Sequence, residues 1–236
     1  MSSDRSASGS ARAVPVITID GPVGSGKGTI STRLAARLGW RFMDSGALYR
    51  LVAIAAMDAG IDPDDHAALA VAARDLDFEF RTEANEAIPL LAGKDVSRRL
   101  RTEEVSAMAS RVAIVPDVRK AMVGRQRAFA KQPGLVADGR DMGTVIFPSA
   151  DLKIFLTASV EIRALRRYKQ LKDKGESVNL SRLFREIEAR DERDTSRKVA
   201  PLKPAEDAVI IDSTESSINE VLDTIYEMAK ERALTD

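Results

Sequence analysis

The hydrophobic positions change period along the chain, and each change marks an element. Residues 14–20 form a β-branched run ending in a glycine-rich turn, and residues 28–38 then keep the 3.6 period of a helix until Gly39. A short extended piece at 41–43 leads to a second helix over 47–59, ended by Gly60 and Pro63. Apolar runs at 135–138, 153–157 and 209–212 have the length of buried parallel strands. Residues 159–173 and 181–195 read as highly charged helices on either side of a break at Lys174-Gly175. Ser217, with Glu220 three positions on, makes a capping box for a last helix. This alternation predicts an α/β fold, a parallel sheet with helices on both faces.

Residues 72–110 break the alternation. Asp77 to Arg81 alternates apolar and polar, 88–91 is apolar, and Gly93-Lys94 turns the chain into Asp95-Val96, the pattern of a small antiparallel sheet. Helices over 102–115 and, beyond Pro116, over 117–131 are expected to follow. The expected organisation is one domain over 14–236, with its core at 14–71 and 116–236 and an inserted subdomain at 72–115 that covers a mobile region. Residues 1–13, rich in Ser, Ala and Arg, read as a flexible tail outside the fold.

Composition narrows the function. A chain of 236 residues holds one compact domain with room for an insertion. The lack of cysteine excludes disulfides and thiolate metal sites. Lys plus Arg and Asp plus Glu balance at 36 each, which argues against a chain that coats nucleic acid but leaves room for a local basic pocket. No apolar stretch approaches the ~18 residues of a membrane span, so no membrane is involved. With no export signal or anchor, the expected location is the cytoplasm.

The chemistry starts at Gly21-Pro22-Val23-Gly24-Ser25-Gly26-Lys27-Gly28-Thr29, which follows a strand and opens a helix. In that context the motif is a phosphate-binding loop. Backbone N–H groups and the helix N-terminus meet the phosphates, and Lys27 places a charge on the β and γ groups of ATP. The residue after Lys27 is Gly28, and the hydroxyl comes one later at Thr29. Regulatory GTPases would also need [NT]-K-x-D and D-x-x-G, and neither pattern occurs. A P-loop ATPase driving a partner needs an acidic strand end, which Asp138 could supply, so the loop alone leaves that class open.

Transfer to a second small molecule needs more cations, because two phosphates must approach each other. Arg50, Arg119, Arg140, Arg190, Arg193 and Arg197 all stand beside turns or acidic residues. They fall in local motifs: Asp44-Ser-Gly-Ala-Leu-Tyr-Arg50, Asp138-Gly-Arg-Asp-Met-Gly-Thr144, and Arg190-Asp-Glu-Arg-Asp194 with Arg197. The insertion adds Asp95-Val-Ser97, Arg101-Thr102 and Val105. Together these motifs resemble the bacterial cytidylate kinases of the P-loop nucleoside monophosphate kinase family, from about residue 14 to the last helix.

The resemblance implies transfer of the γ-phosphate of ATP to CMP or dCMP, with Mg2+ bridging the donor phosphates. Ser45, Arg50, Arg140 and Arg197 match positions that hold the acceptor phosphate. Ser110, Arg119 and Asp141 match positions that read cytosine, and Arg190 and Asp194 positions that bind the ribose hydroxyls. Tyr49 lies beside them. Lys27, Arg140, Arg190 and Arg197 carry the catalysis, while Thr29 and Asp138 reach the metal through water. The insertion is then a nucleoside-monophosphate-binding subdomain, and 169–180 a short lid with Arg163, Arg166 and Arg167 as candidate cations. A monomer is the family expectation. The alternatives are a broader pyrimidine monophosphate kinase and, from another class, a P-loop regulatory protein.

The cytosine assignment also has a physical basis. Cytosine offers an amino donor at C4 and an acceptor at N3, and a carboxylate beside a cation and a hydroxyl complements both. The competing role for Asp141 is an ion pair with Arg140 or a loop cap. His66, the only histidine, reads as surface loop, Trp40 as packing, and Met57, Met108 and Met142 as core or pocket wall.

Overall fold

The computed structural model describes residues 14–83, 86–173, 175 and 177–235, so the expected tail at 1–13, and Lys174 and Glu176 of the expected lid, lie outside the described residues. The strands are β1 (Val16–Asp20), β2 (Arg41–Asp44), β3 (Phe78–Glu83), β4 (Glu86–Leu91), β5 (Lys94–Asp95), β6 (Leu135–Gly139), β7 (Leu152–Thr157) and β8 (Val209–Asp212). The α-helices are α1 (Lys27–Leu38), α2 (Ser45–Asp58), α3 (His66–Arg74), α4 (Glu103–Val112), α5 (Pro116–Arg127), α6 (Val160–Asp173), α7 (Leu180–Ser196) and α8 (Ile218–Glu231).

Five strands form one parallel sheet in the order β2-β6-β1-β7-β8. All five residues of β1 and of β6 are buried, the polar Thr18, Asp20 and Asp138 included, as strands inside a sheet covered on both faces must be. One core packs α2, α4 and α5 around Leu48, Val52, Val112 and Met122. The other packs α1 and α8 around Ile17, Leu34, Ile154 and Ile225. The carboxyl ends of β1, β2 and β6 carry Asp20, Asp44 and Gly139, so the loops after them share one edge of the sheet, where ligands of open α/β sheets bind.

The insertion forms the expected antiparallel sheet, ordered β3-β4-β5. Phe80 stacks edge-on to both Phe78 and Phe129, the latter just beyond α5. Arg125 of α5 donates to Leu76 O and Arg74 O, 2.6 and 2.7 Å, anchoring the start of the insertion to the core.

Several boundaries depart from the sequence reading. The polar stretch around His66 opens helix α3, because Asp65 caps it by accepting from Ala68 N at 2.9 Å; His66 itself is exposed. The helix expected over 102–115 stops at Val112, and the next starts with Pro116 at its first turn and ends at Arg127. A 3-10 turn at Arg99–Arg101 and a π-helical turn at Met142–Ile146 had no signal in the pattern. Trp40 packs under Gly134, where an added Cβ would stand 2.3 Å from its ring.

Candidate functional site

The glycine-rich loop runs between β1 and α1 at the ligand edge of the sheet. Gly21 has φ +153°, and a Cβ there would lie 2.0 Å from Leu156 O, so only glycine lets the loop leave β1 beside β7. Val23, Gly24, Gly26, Lys27, Gly28 and Thr29 line a cavity of about 380 Å³. Gly21, Pro22 and Ser25, expected with them, do not line it. Ser25 is buried, and its carbonyl accepts from Ser213 Oγ at 3.2 Å and Arg166 Nη1 at 3.3 Å. Pro22 O accepts from Lys27 Nζ at 3.2 Å. A Cβ at position 28, where many such loops carry a hydroxyl residue, would stand 3.3 Å from Asp138 Oδ2, a tight contact. Burial, reinforced by Arg140, lowers the Lys27 pKa; burial raises that of Asp138, against the pull of Lys27.

The other half of the cavity comes from five separate segments. Asp44 ends β2 and caps α2 by accepting from Ala47 N at 3.1 Å, which starts the helix at Ser45 and turns Ser45, Tyr49 and Arg50 to the cavity. Ser110 comes from α4 and Arg119 from α5. Arg140 and Asp141 follow β6, and α7 supplies Arg190 and Asp194, with Arg197 at its end. Every residue expected to contact the acceptor therefore lines the same cavity as Lys27.

Six cations (Lys27, Arg50, Arg119, Arg140, Arg190, Arg197) and four carboxylates (Asp44, Asp138, Asp141, Asp194) line it, an excess of positive charge suited to anions. Arg119 pairs with Asp141, so the competing Arg140 pairing does not form. Arg140 Nε instead donates to Asp194 Oδ2 at 3.0 Å, and Arg197 Nη2 lies 2.5 Å from Asp194 Oδ1. Asp194 is 2% exposed and enclosed by these two guanidiniums, a different setting from an open ribose contact. Arg190 has no carboxylate partner among the described residues, and its buried Nε lacks a hydrogen bond. Burial, then Arg140, lowers its pKa to about 10, which leaves it charged at neutral pH. Tyr49 accepts from the buried Gln126 Nε2 at 3.4 Å, with Arg119 5.8 Å from its ring centre.

The remaining arginines sort differently. Arg163 is 3% exposed and structural: it donates to Ala158 O (2.9 Å), to Val23 O of the glycine-rich loop (3.1 Å) and to Asp191 of α7. Arg166 Nη2 donates to Ser213 O at 2.6 Å, and Arg167 Nη2 to Glu103 Oε1 at 2.6 Å, joining α6 to α4. Arg193 is exposed, donates to its own helix at Ala189 O (3.1 Å), and does not line the cavity. Sequence reasoning assigned no role to Asp44, Gln126 or Gln170, and none to the buried Asp20. Only Asp44, as a polar residue ahead of a helix, carried a signal.

The family model described as cytidylate kinase matches residues 17–231. A cytidylate kinase from Aeromonas hydrophila subsp. hydrophila is 56% identical over 92% of this chain and 95% of its own. One from Stutzerimonas stutzeri is 58% identical over 94% and 97%, and one from Pseudomonas fluorescens 60% identical over 89% and 93%. A solved gluconokinase from Sinorhizobium meliloti 1021 covers 94% of this chain and 97% of its own at 17% identity, with a TM-score of 0.45 too low to bear on substrate.

Proposed function

Because the chain belongs to the cytidylate kinase family, an ATP-dependent kinase of CMP and dCMP, we propose that the two halves of its cavity hold donor and acceptor face to face. The glycine-rich loop and the N-terminus of α1 receive the ATP phosphates, with Lys27 on the β and γ oxygens. Ser45, Arg50, Arg140 and Arg197 hold the acceptor phosphate. Asp141, held by Arg119, takes the cytosine amino group, and Ser110 adds a hydroxyl beside it. Arg190 reaches both the ribose and the phosphoryl group in transit, Asp194 holds Arg140 and Arg197 in place beside them, and Tyr49 packs against the nucleotide.

The observation that carries this reading is Arg190. Its Nε is buried without a hydrogen bond, Arg140, Arg50 and Arg197 press on it with like charge, and Asp194, which attracts it, is already paired with Arg140 and Arg197, so the group is costly unless an anion completes it. The phosphoryl group in transit, with charge spread over its equatorial oxygens, is such an anion. The attacking phosphate oxygen is already ionised, so the reaction needs no side-chain base; the protein supplies position and charge neutralisation.

The donor set around the loop fits Mg2+. Asp138 and Thr29 present only oxygen, and no group of three or more acidic or histidine residues able to cage a metal exists among the described residues. That suits an ion that keeps several waters and takes the rest of its ligands from phosphates. Asp138 and Thr29 would hold it through water, and when bound it neutralises charge on the β and γ oxygens. In the same reading, 72–115 closes over the acceptor and 169–180 over the donor phosphates, excluding water that would otherwise hydrolyse ATP. The enzyme acts as a monomer in the cytoplasm. No helix of the described residues is long and apolar enough to cross a membrane.

A coupled assay of ADP release with CMP, dCMP, UMP, AMP and GMP tests the reading. CMP and dCMP should lead by at least ten-fold in kcat/KM. Equal use of UMP would make this a general pyrimidine kinase, and ADP release independent of any acceptor would make it an ATPase.

A further inference from the structure

Asp20 ends β1 one residue before the glycine-rich loop, yet it does not line the cavity. It is 5% exposed, and both oxygens of its carboxylate are engaged: Oδ1 accepts from Met142 N at 2.9 Å and Oδ2 from Gly143 N at 2.8 Å. These amides open the π-helical turn Met142–Ile146, where the first donors have no partner inside the turn. In the β1–β6 ladder, Asp20 stands opposite Gly139. Only Arg140 and Asp141 lie between Gly139 and Met142, so the backbone carrying them is held on one side by the ladder and on the other by Asp20. The turn lies against β1 elsewhere too: a Cβ on Gly143 would stand 2.9 Å from Thr18 Oγ1.

We propose that Asp20 is a positioning residue for the acceptor, fixing where Arg140 and Asp141 sit without touching substrate itself. The inference rests on the reading that those two residues contact the acceptor. Only a carboxylate accepts two neighbouring amides with two oxygens; an asparagine in its place accepts one and confronts the other with an N–H. A buried amide left unpaired seeks a new partner, and the turn shifts with it. Asp141 is the residue directly before that turn, and its carbonyl accepts from Val145 N (2.9 Å) and Ile146 N (3.2 Å), so a shift carries Asp141 along. The carboxylate is kept here against the cost of burial, which raises its pKa to about 6 despite the two amides and Arg140, with Asp141 adding to the rise.

The test is steady-state kinetics of Asp20→Asn with CMP, UMP and ATP, beside Asp141→Ala and the double variant. Asp20→Asn should raise KM for CMP about ten-fold, the consequence of one unpaired buried amide. It should lower the CMP-to-UMP ratio of kcat/KM and leave KM for ATP within about two-fold. In the Asp141→Ala background it should no longer change that ratio, because it acts through Asp141. A purely structural role would reduce active enzyme without moving the ratio. An unchanged KM for CMP and an unchanged ratio would overturn the proposal, and Asp141→Ala would then show whether the base-reading assignment stands on its own. Should Asp20→Asn fail to fold, amide exchange in the unaltered protein decides: slow exchange at Met142 and Gly143 is expected, and free exchange at both would overturn the clamp.

Discussion

Arg119 and Asp141, from α5 and from the loop after β6, meet in an ion pair whose side chains keep only 9% and 5% of their surface. Arg119 also donates to Ala113 O at 3.3 Å, so the carboxylate is held by a cation that is itself fixed. Burial raises the Asp141 pKa and Arg119 opposes the rise.

Base selection should therefore fail with Asp141. In the proposed arrangement cytosine would give the carboxylate an amino hydrogen, whereas uracil would turn a carbonyl oxygen to it. Leaving a buried group unpaired costs roughly 1–3 kcal/mol. Asp141→Ala should lower kcat/KM for CMP far more than for UMP, and Arg140→Ala should lower both alike, since phosphate contacts carry no base information. Equal losses with Asp141→Ala would reduce that residue to a loop support.

Turnover should depend on Lys27 while folding does not. Among the described residues Lys27 makes one hydrogen bond to protein, to Pro22 O, so the proposed phosphate contacts and not the fold should depend on it. Lys27→Met should keep its melting temperature within a few degrees and lose about 10²–10³ or more in kcat, as when a preorganised charge is removed from a transition state. Near-normal turnover would remove Lys27 from the reaction.

Why some of this was legible in the sequence is clear from individual residues. The end of β1 at Asp20, the stretch of β6 up to Asp138 and the loop with Lys27 are local in sequence, and local patterns carry them. The insertion was visible because Asp77 to Arg81 changes period from helix to strand. Of helix α3 only the polar start around Asp65-His66 was legible, because that start is as polar as a loop and the Asp65 cap is what commits it to a helix. Pairings were beyond reach. Nothing in the chain says that Asp194 is shared by Arg140 and Arg197, that Asp141 takes Arg119, or that Arg163 is buried against Val23 and Asp191. Those partners lie up to 140 residues apart and meet only through packing. Asp20 was read as the end of a strand for the same reason, its partners lying at 142 and 143.

Acceptor binding should tighten the insertion side of the cavity. Ser106, Ala109, Ser110 and Ala113 of the α4 region line it, and α4 is tied to α6 through Glu103 and Arg167, an exposed pair of little energy on its own. Saturating CMP should slow amide exchange across 102–120 by several-fold. Unchanged exchange over 72–120 would leave the insertion as a static wall.

The stability of the protein should also carry the signature of Asp20. Its pKa rises from 3.8 to about 6 in the fold because burial outweighs its two amides. A carboxyl raised in this way favours the fold when protonated. Its contribution is full below 3.8 and is lost as pH rises through about 6, to the extent of at most ~3 kcal/mol. Asn does not ionise, so Asp20→Asn removes this dependence while adding a pH-independent loss from one unpaired amide. Urea unfolding at pH 4.5 and 7.5 separates the two effects. At pH 4.5 the variant should be the less stable protein; by pH 7.5 the gap should narrow by about 2 kcal/mol or reverse, even though its handling of CMP is worse there. A gap that stayed constant or widened with pH would mean that Asp20 is ionised in the fold at little cost, and that its burial leaves the carboxylate better solvated than its surroundings indicate.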